Sequence, residues 1–427
     1  MARRTTGDFL PEPQSTAFFV LMMVVFGALM CWLVLAKHLV FRVLAACLAF
    51  VPAALFGIAV VNKYYDYYQS WNAAIADISN QGLPAPIVPG THLRSTSDIS
   101  KLLGNSIYTK LAAQQGYTLR LSVYGPASHL TRNVYVYLPP QYFQPAYRGY
   151  RFPVIELLHG FPGQPQDWIT VIGITTTLNN LIRSHLARPV VLVMPDANGA
   201  RGVSLQCLNQ VGGAQDATFL AQDLPTYISR VLRVWPAGRT WAVAGYSEGG
   251  FCAANLGLQY GSKFGFAGVL SGYFEPTKNQ LSHPSRLVSP FGGSKLLLKR
   301  NTPAQELLNL PPGAPIPQFW IGSGGGSRSD VRAAQIFRQL VELRQPGVVL
   351  RITPGGGHTM ATWRQLVPPM LEWMTPKLAT NVALARARAT RLAHHRVRKH
   401  VRHRSTGQPA PGATLFRPSP RPRHSRH

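Results

Sequence analysis

The chain has 427 residues, of which 43 are Lys or Arg and only 16 are Asp or Glu, so its formal net charge is +27. The basic excess is uneven, because residues 377–427 carry 13 Lys or Arg and no acid. The middle of the chain is therefore close to an ordinary globular composition and is long enough to bury a large core. The four cysteines show no zinc spacing, which excludes the common zinc modules, and we expect neither a metal nor a cofactor.

Two apolar runs follow a short polar segment, residues 1–15. Residues 16–36 and 43–61 contain no charged side chain, and each run is long enough to cross about 30 Å of hydrocarbon as a helix. A cleaved signal peptide is the alternative, but the first run is longer than a signal h-region and a second run follows at once. We therefore predict two transmembrane helices within residues 16–61, forming a hairpin in the cell membrane. The flanking positive charges are balanced and do not decide its orientation.

Residues 62–116 are predicted to be a juxtamembrane aromatic segment and a linker. Residues 62–71 include four Tyr and one Trp, a composition typical of a membrane–water boundary. Residues 72–116 have mixed polarity with several Gly and Pro, which predicts a linker with some short helix.

Residues 117–376 are predicted to form one α/β domain. Two alternating strands come first, and apolar strands separated by helical patterns follow. The predicted strands are 118–124, 133–138, 153–158, 190–194, 241–244, 266–270, 318–321 and 348–352. The predicted helices are 168–186, 217–234, the run after the 241–244 strand as far as 260, 331–343 and 363–374. This alternation indicates a mostly parallel sheet covered by helices on both faces.

Residues 377–427 are predicted to be a basic, largely disordered tail. Residues 381–402 lack Pro and Gly and are compatible with a basic helix, whereas the chain beyond Ser405 is rich in Pro, Arg and His. No folded nucleic-acid recognition motif accompanies the tail, so nucleic acid is not an expected partner. On the outer side of a membrane the tail would meet anionic envelope polymers or lipid headgroups; a solvated tail without a partner is the alternative.

The motif Gly245-Tyr-Ser-Glu-Gly249 lies between a predicted strand and a predicted helix. The two glycines allow a tight turn without a Cβ clash. Such a turn holds the Ser247 hydroxyl at the C-terminal edge of the sheet, where a base can reach it. The context predicts a nucleophile, against the alternative of an ordinary glycine-rich turn.

A serine nucleophile needs a base and a group that orients the base. In enzymes with this kind of elbow, the acid and then the histidine follow the nucleophile along the chain. His358 follows the last predicted strand after three glycines and is the predicted base. His283 also lies in a loop, but no predicted strand leads into that loop to position it. Asp330 follows the preceding predicted strand and is the predicted acid. Two alternatives stay open: Asp330 could instead cap the N-terminus of the next helix, or Glu275 could be the acid.

The oxyanion formed in acyl transfer needs preorganised N–H donors. We predict the backbone N–H groups of Glu248 and Phe161, with Gly160 as the next choice after Phe161. His159 is predicted to be a structural residue of the same turn. Asp196 lies at the end of another predicted strand. We expect it either to shape the pocket or simply to form the turn there.

These residues together resemble the putative-esterase family of α/β-hydrolases, from about Ser122 to Pro376. The family includes esterase D-like enzymes, enterochelin esterases and mycolyltransferases. The matching segments are Leu158-His-Gly-Phe-Pro-Gly163, Asp167-Trp168, Met194-Pro-Asp196, Asp223-Leu-Pro225, Gly245-Tyr-Ser-Glu-Gly-Gly250, Leu270-Ser-Gly272 and Pro354-Gly-Gly-Gly-His358 with Trp363. The N-terminal segment looks like that of membrane-anchored actinobacterial members, and the resemblance implies a catalytic domain outside the cell. This chain departs from the pattern in the acid loop, which has extra Gly and Ser before Asp330.

The predicted function is that of a membrane-anchored serine esterase or acyltransferase, which acts on an acyl ester through an acyl-enzyme on Ser247. Hydrolysis and mycolyltransferase-like transfer to an envelope sugar both stay open. A non-catalytic hydrolase-fold envelope protein is the alternative, and the complete Ser, Asp and His set argues against it.

Cys207 and Cys252 are predicted to form a disulfide, because the loop and the helix start that carry them emerge at the same edge of the sheet. Two free thiols are the alternative. A disulfide would persist in an oxidising compartment, in keeping with an extracytoplasmic domain.

Overall fold

The computed structural model describes residues 10–78, 106–199, 204–276 and 290–405 of the chain. His283 and the distal part of the predicted tail, residues 406–427, lie outside these ranges. The chain divides into two compact units, Met1–Val382 and Ala383–His427.

Twelve helices and eight strands of the described chain carry the fold. The helices are α1 (Thr16–Leu35), α2 (Leu39–Tyr65), α3 (Trp71–Ile78), α4 (Ser106–Gln115), α5 (Asp167–Thr170), α6 (Ile174–Arg183), α7 (Leu224–Val231), α8 (Glu248–Gln259), α9 (Lys295–Arg300), α10 (Pro303–Asn309), α11 (Arg328–Glu342) and α12 (Met360–Ser405). The strands are β1 (Tyr117–Gly125), β2 (Leu130–Leu138), β3 (Val154–Leu158), β4 (Val191–Pro195), β5 (Gly238–Tyr246), β6 (Phe264–Leu270), β7 (Gln318–Gly324) and β8 (Val349–Thr353). Short helical turns of three to five residues join some of them.

All eight strands form one sheet in the order β1-β2-β4-β3-β5-β6-β7-β8. β2 is antiparallel to both of its neighbours, and β3 to β8 are mutually parallel. The predicted mostly parallel sheet is confirmed. Because the parallel strands all end at one edge, the loops that follow β3, β4, β5, β7 and β8 converge there.

The sheet separates two apolar layers. Along β5, Trp241 and Val243 point into one layer, whereas Ala242, Ala244 and Tyr246 point into the other. This alternation is the period-two geometry of a strand buried on both faces, which explains why β5 reads as a continuous apolar run in the sequence.

The N-terminal helices α1 and α2 pack against each other as a hairpin. Phe18 is buried in their contact, and the rings of Phe19 and Phe56 meet edge to face with centroids 5.4 Å apart. The mean hydropathy of the two helices reaches 2.7 and 2.5, so both are long and apolar enough to cross a membrane. By the same measures the first could also be a signal sequence.

Two helices differ most clearly from the prediction in their boundaries. The expected helix over 168–186 is split into α5 and α6, because Gly173 adopts a left-handed φ of 74° between them. The last helix, predicted over 363–374, does not end near Met374 but continues through Pro376 to Ser405. Its core face also extends further, since Leu378 and Val382 are buried. The short helices α9 and α10 were not predicted from the sequence.

Candidate active site

The turn between β5 and α8 holds Ser247 in a strained conformation. Its φ of 55° and ψ of −119° are rare for a residue with a side chain. The glycines around it are needed for close packing: a Cβ on Gly245 would lie 2.1 Å from the Gly249 carbonyl oxygen, and one on Gly249 would lie 2.1 Å from that of Leu158. The turn therefore has the shape of a nucleophile elbow, with the hydroxyl at its apex.

Three predicted side chains meet at this edge of the sheet. Nε2 of His358 lies 2.9 Å from the Ser247 Oγ, and Nδ1 of the same ring lies 2.7 Å from Oδ2 of Asp330. An imidazole that carries its proton on Nδ1 donates to Asp330 and accepts from the serine hydroxyl. This geometry can move a proton from Ser247 to His358 while Asp330 holds the ring in the required tautomer.

The open question about the acid concerned Asp330 and Glu275. Asp330 lies in the first turn of α11, but Ser327 occupies the N-cap position and the Asp330 carboxylate turns to the imidazole. Its side chain is 17% exposed and that of His358 is 38% exposed, so the pair is partly open to solvent. Glu275 is exposed on the loop after β6.

The turn after β3 packs directly against the elbow. A Cβ added to Gly160 would lie 2.8 Å from the Tyr246 ring and 3.2 Å from the Ser247 Cβ, so a side chain at this position would force the elbow or the Tyr246 ring to shift. The N–H of Phe161 follows Gly160, and the N–H of Glu248 opens α8 next to Ser247. Both predicted oxyanion donors are therefore in segments that adjoin the serine.

His159 is fully enclosed beneath this turn. Its Nε2 accepts the Ala197 N–H at 3.1 Å, and its Nδ1 lies 2.8 Å from the Gly160 carbonyl oxygen, so the ring links the turns after β3 and β4. Asp196 uses Oδ1 to accept the N–H groups of Asn198 and Gly199 at 3.1 and 2.8 Å. Asp196 thus makes its own turn.

A disulfide ties the loop after β4 to helix α8. Cys207 and Cys252 are bonded, with their Cα atoms 5.6 Å apart. In the same loop, Ser204 donates a hydrogen bond to the Glu248 carboxylate. Burial raises the pKa of this carboxyl, which sits one residue after the serine.

Aromatic side chains support the serine and the histidine from behind. Tyr246 stacks on Trp363 with ring centroids 4.6 Å apart, and Trp363 meets the His358 ring edge to face at 5.2 Å. The Tyr246 hydroxyl lies 3.4 Å from Oδ2 of Asp167, which is fully buried, and Tyr67 donates to the same oxygen. The sequence analysis placed neither Asp167 nor Tyr67 at the active site. The Asp167-Trp168 match to the family was a signal for the first, but no local signal marked the second.

Several relatives match part of this chain. An uncharacterized protein of Corynebacterium glutamicum is 28% identical over 251 residues, 58% of this chain and 57% of that protein. The MPT51 antigen of Mycobacterium leprae is 33% identical over 111 residues, 26% of this chain and 33% of the antigen. Esterase Rv1288 of Mycobacterium tuberculosis is 32% identical over 126 residues, 29% of this chain and 26% of that esterase. The chain thus matches about half of the first relative's length and a third or less of the other two.

Solved structures establish the fold independently. A ferulic acid esterase superposes with a TM-score of 0.52 at 19% identity, covering 62% of this chain and 99% of that one. The fluorophosphonate-binding serine hydrolase FphF of Staphylococcus aureus gives 0.50 at 19% identity, covering 61% and 98%. These likenesses confirm the predicted α/β-hydrolase fold.

The family profile described as Putative esterase matches residues 128–374, which is more than half of the chain and includes Ser247, Asp330 and His358. The chain therefore belongs to the Putative esterase family and has the α/β-hydrolase fold.

Proposed function

We propose that this chain is a membrane-anchored serine esterase or acyltransferase whose catalytic triad is Ser247, His358 and Asp330. The observation that carries the proposal is the pair of contacts on one imidazole, 2.9 Å to the serine oxygen and 2.7 Å to the carboxylate. Both are hydrogen-bond distances, and together they meet the geometric requirement for a general base that is oriented by an acid.

In the first half of the reaction, Ser247 Oγ bonds to the acyl carbonyl carbon as its proton passes to Nε2 of His358. The tetrahedral oxyanion then collapses, the carbon–oxygen bond to the alcohol breaks, and His358 gives its proton to the departing oxygen. In the second half, the oxygen of water or of an acceptor alcohol attacks the acyl-enzyme and passes its proton to His358. Ser247 recovers that proton as the acid or the new ester leaves.

The N–H groups of Glu248 and Phe161 are the proposed oxyanion donors. Glu248 opens α8, so its N–H also benefits from the positive end of the helix dipole. Donors on a rigid helix start and on a tightly packed turn stabilise the developing charge without reorganising, which is the usual source of a large rate gain.

The helices α1 and α2 are the proposed anchor, with the catalytic domain on the extracytoplasmic side. Their length and hydropathy support the anchor, and the disulfide at the rim of the site favours an oxidising compartment. The substrate is an acyl ester. The acyl acceptor is water or an envelope sugar.

Labelling with a fluorophosphonate probe tests the mechanism, and a probe that cannot cross the membrane tests sidedness on intact cells. Ser247→Ala is expected to abolish labelling and to lower kcat on a short acyl ester by several orders of magnitude, about 10⁶-fold in a comparable triad. Ser262→Ala, on an exposed turn, is the matched control and should behave as the wild type. Normal turnover by Ser247→Ala would refute the triad, and labelling only after permeabilisation would refute the orientation.

A further inference from the structure

The segment that leaves α2, residues 66–68, is docked on the catalytic domain by an arginine. Arg364 contacts the Asp66 carboxylate at 2.5 Å and donates to the carbonyl oxygens of Asp66 and Tyr67 at 3.1 and 3.0 Å. It also donates through Nε to the Val171 carbonyl oxygen at 2.8 Å. One side chain therefore joins the end of the apolar hairpin to α12 and to the turn after α5.

Tyr67 differs from Tyr64 and Tyr65, the last residues of α2. Tyr64 and Tyr65 are 72% and 47% exposed, as expected for residues at a membrane boundary, whereas Tyr67 is half-buried and packs on the core layer that contains Tyr246. Its hydroxyl donates to Oδ2 of the buried Asp167 at 2.5 Å. Burial, and then the Asp167 carboxylate, raise the pKa of Tyr67 well above its usual value, so the hydroxyl stays a donor at any working pH.

Both contact points adjoin the residues behind the triad. The Asp167 oxygen that accepts from Tyr67 lies 3.4 Å from the hydroxyl of Tyr246, the residue before Ser247. Arg364 directly follows Trp363, whose ring lies between Tyr246 and His358. The segment after α2 is thus connected to the serine through Tyr246 and to the histidine through Trp363.

We propose that Tyr67 is a positioning residue for the triad: through Asp167 and Tyr246 it holds the elbow in register with His358. The active site is then completed by the chain that leaves the membrane hairpin. The inference rests on the proposed function, because it assigns Tyr67 a role in turnover at Ser247. Small displacements of a nucleophile from its base are costly, since about 1 Å of misplacement can lower a rate by two orders of magnitude.

The test compares full-length protein in detergent micelles with its Tyr67→Phe, Tyr246→Phe and doubly substituted variants. Phenylalanine keeps the ring and its packing and removes only the hydroxyl. Tyr64→Phe, the same change at an exposed tyrosine three residues earlier, is the matched control. The measurements are kcat and KM for p-nitrophenyl butyrate per site titrated by a fluorophosphonate, and the midpoint of thermal unfolding.

Tyr67→Phe is expected to lower kcat per titrated site roughly fivefold to tenfold, with KM within about twofold of the wild type, because the reacting groups and not the substrate are misplaced. The double variant should lose less than the product of the two single losses, since both hydroxyls act on one carboxylate oxygen. A merely structural role would lower the thermal midpoint and the titrated fraction while leaving kcat per titrated site equal to that of Tyr64→Phe. That result would overturn the inference. A wild type that is not labelled at Ser247 would instead overturn the proposed function.

Discussion

Two C-terminal truncations that differ by only six residues should differ greatly in stability. The first removes residues 383–427, all of the second compact unit, and the second removes residues 377–427, the tail as the sequence alone would place it. Only the second also removes Leu378 and Val382, which are 0% and 1% exposed and belong to the core of the first unit.

The size of the difference follows from the buried surface. Each of these two side chains stabilises the fold by about 1.5–3 kcal/mol when buried, or about 3–6 kcal/mol for the pair. Asn381 adds a hydrogen bond from Nδ2 to the Arg239 carbonyl oxygen at 2.7 Å, with a net contribution of about 1 kcal/mol. The sum is a large part of the roughly 5–15 kcal/mol by which a domain is stable. For a domain of this size it corresponds to a thermal midpoint on the order of 10–20 °C lower.

Thermal unfolding of both truncations, at one scan rate and in one detergent, measures the difference. The variant that lacks only residues 383–427 should unfold at the wild-type temperature and keep wild-type kcat, because this deletion leaves the triad and the core intact. Point variants provide the control. Leu378→Ala should lower the free energy of unfolding by about 2–5 kcal/mol. Leu384→Ala, at a side chain that is 62% exposed, should lower it by less than about 0.5 kcal/mol. Equal midpoints for the two truncations would refute the reasoning.

Three further outcomes are expected. Asp330→Asn should lower kcat strongly on a short ester while Glu275→Gln leaves it unchanged; the reverse result in the same kinetic assay would identify Glu275 as the acid. Glu156 is fully buried on β3, and neither carboxylate oxygen has a hydrogen-bond partner among the described residues, so burial raises its pKa well above the usual 4.5. The folded state then retains a proton that the unfolded chain loses above pH 4.5, so stability falls as the pH rises from there towards the raised pKa. Glu156→Leu should flatten that part of the pH profile in denaturant titrations and stabilise the protein at pH 7–8, and an unchanged profile would contradict the burial argument. Replacing Cys252 by Ser should lower the free energy of unfolding by roughly 2–5 kcal/mol and loosen the loop that holds Ser204 against Glu248. Mass spectrometry of unreduced peptides should find the Cys207–Cys252 disulfide in the wild type, and two free thiols would contradict it.

Local sequence determined the parts of this protein that depend on short-range chemistry. The alternation of apolar strands with helices was enough to predict the mostly parallel sheet, because strand and helix periods are set within a few residues. The two long apolar helices could also be predicted from the sequence, because each corresponds to an uninterrupted run of uncharged residues. The elbow at Ser247 could be placed because a tight turn between strand and helix needs glycine at defined positions, and Gly245 and Gly249 supply it.

Tertiary structure decided what depends on residues far apart in the chain. Asp330 and Glu275 both follow strands along the chain, one at the start of α11 and the other on the loop after β6. Only the folded chain brings the Asp330 carboxylate within 2.7 Å of His358 Nδ1. Tyr67 looked like another boundary tyrosine, and its bond to Asp167 spans 100 positions.

The length of the last helix was also a tertiary decision. Local propensity argues for a stop near Pro376, since proline lacks an N–H and clashes with the preceding turn. The helix nevertheless continues, because Leu378 and Val382 are buried in the core of the first unit. One proline within a helix costs about 3 kcal/mol, and burying two large apolar side chains stabilises the fold by at least as much. No pattern within a short window of sequence shows which of the two effects is larger.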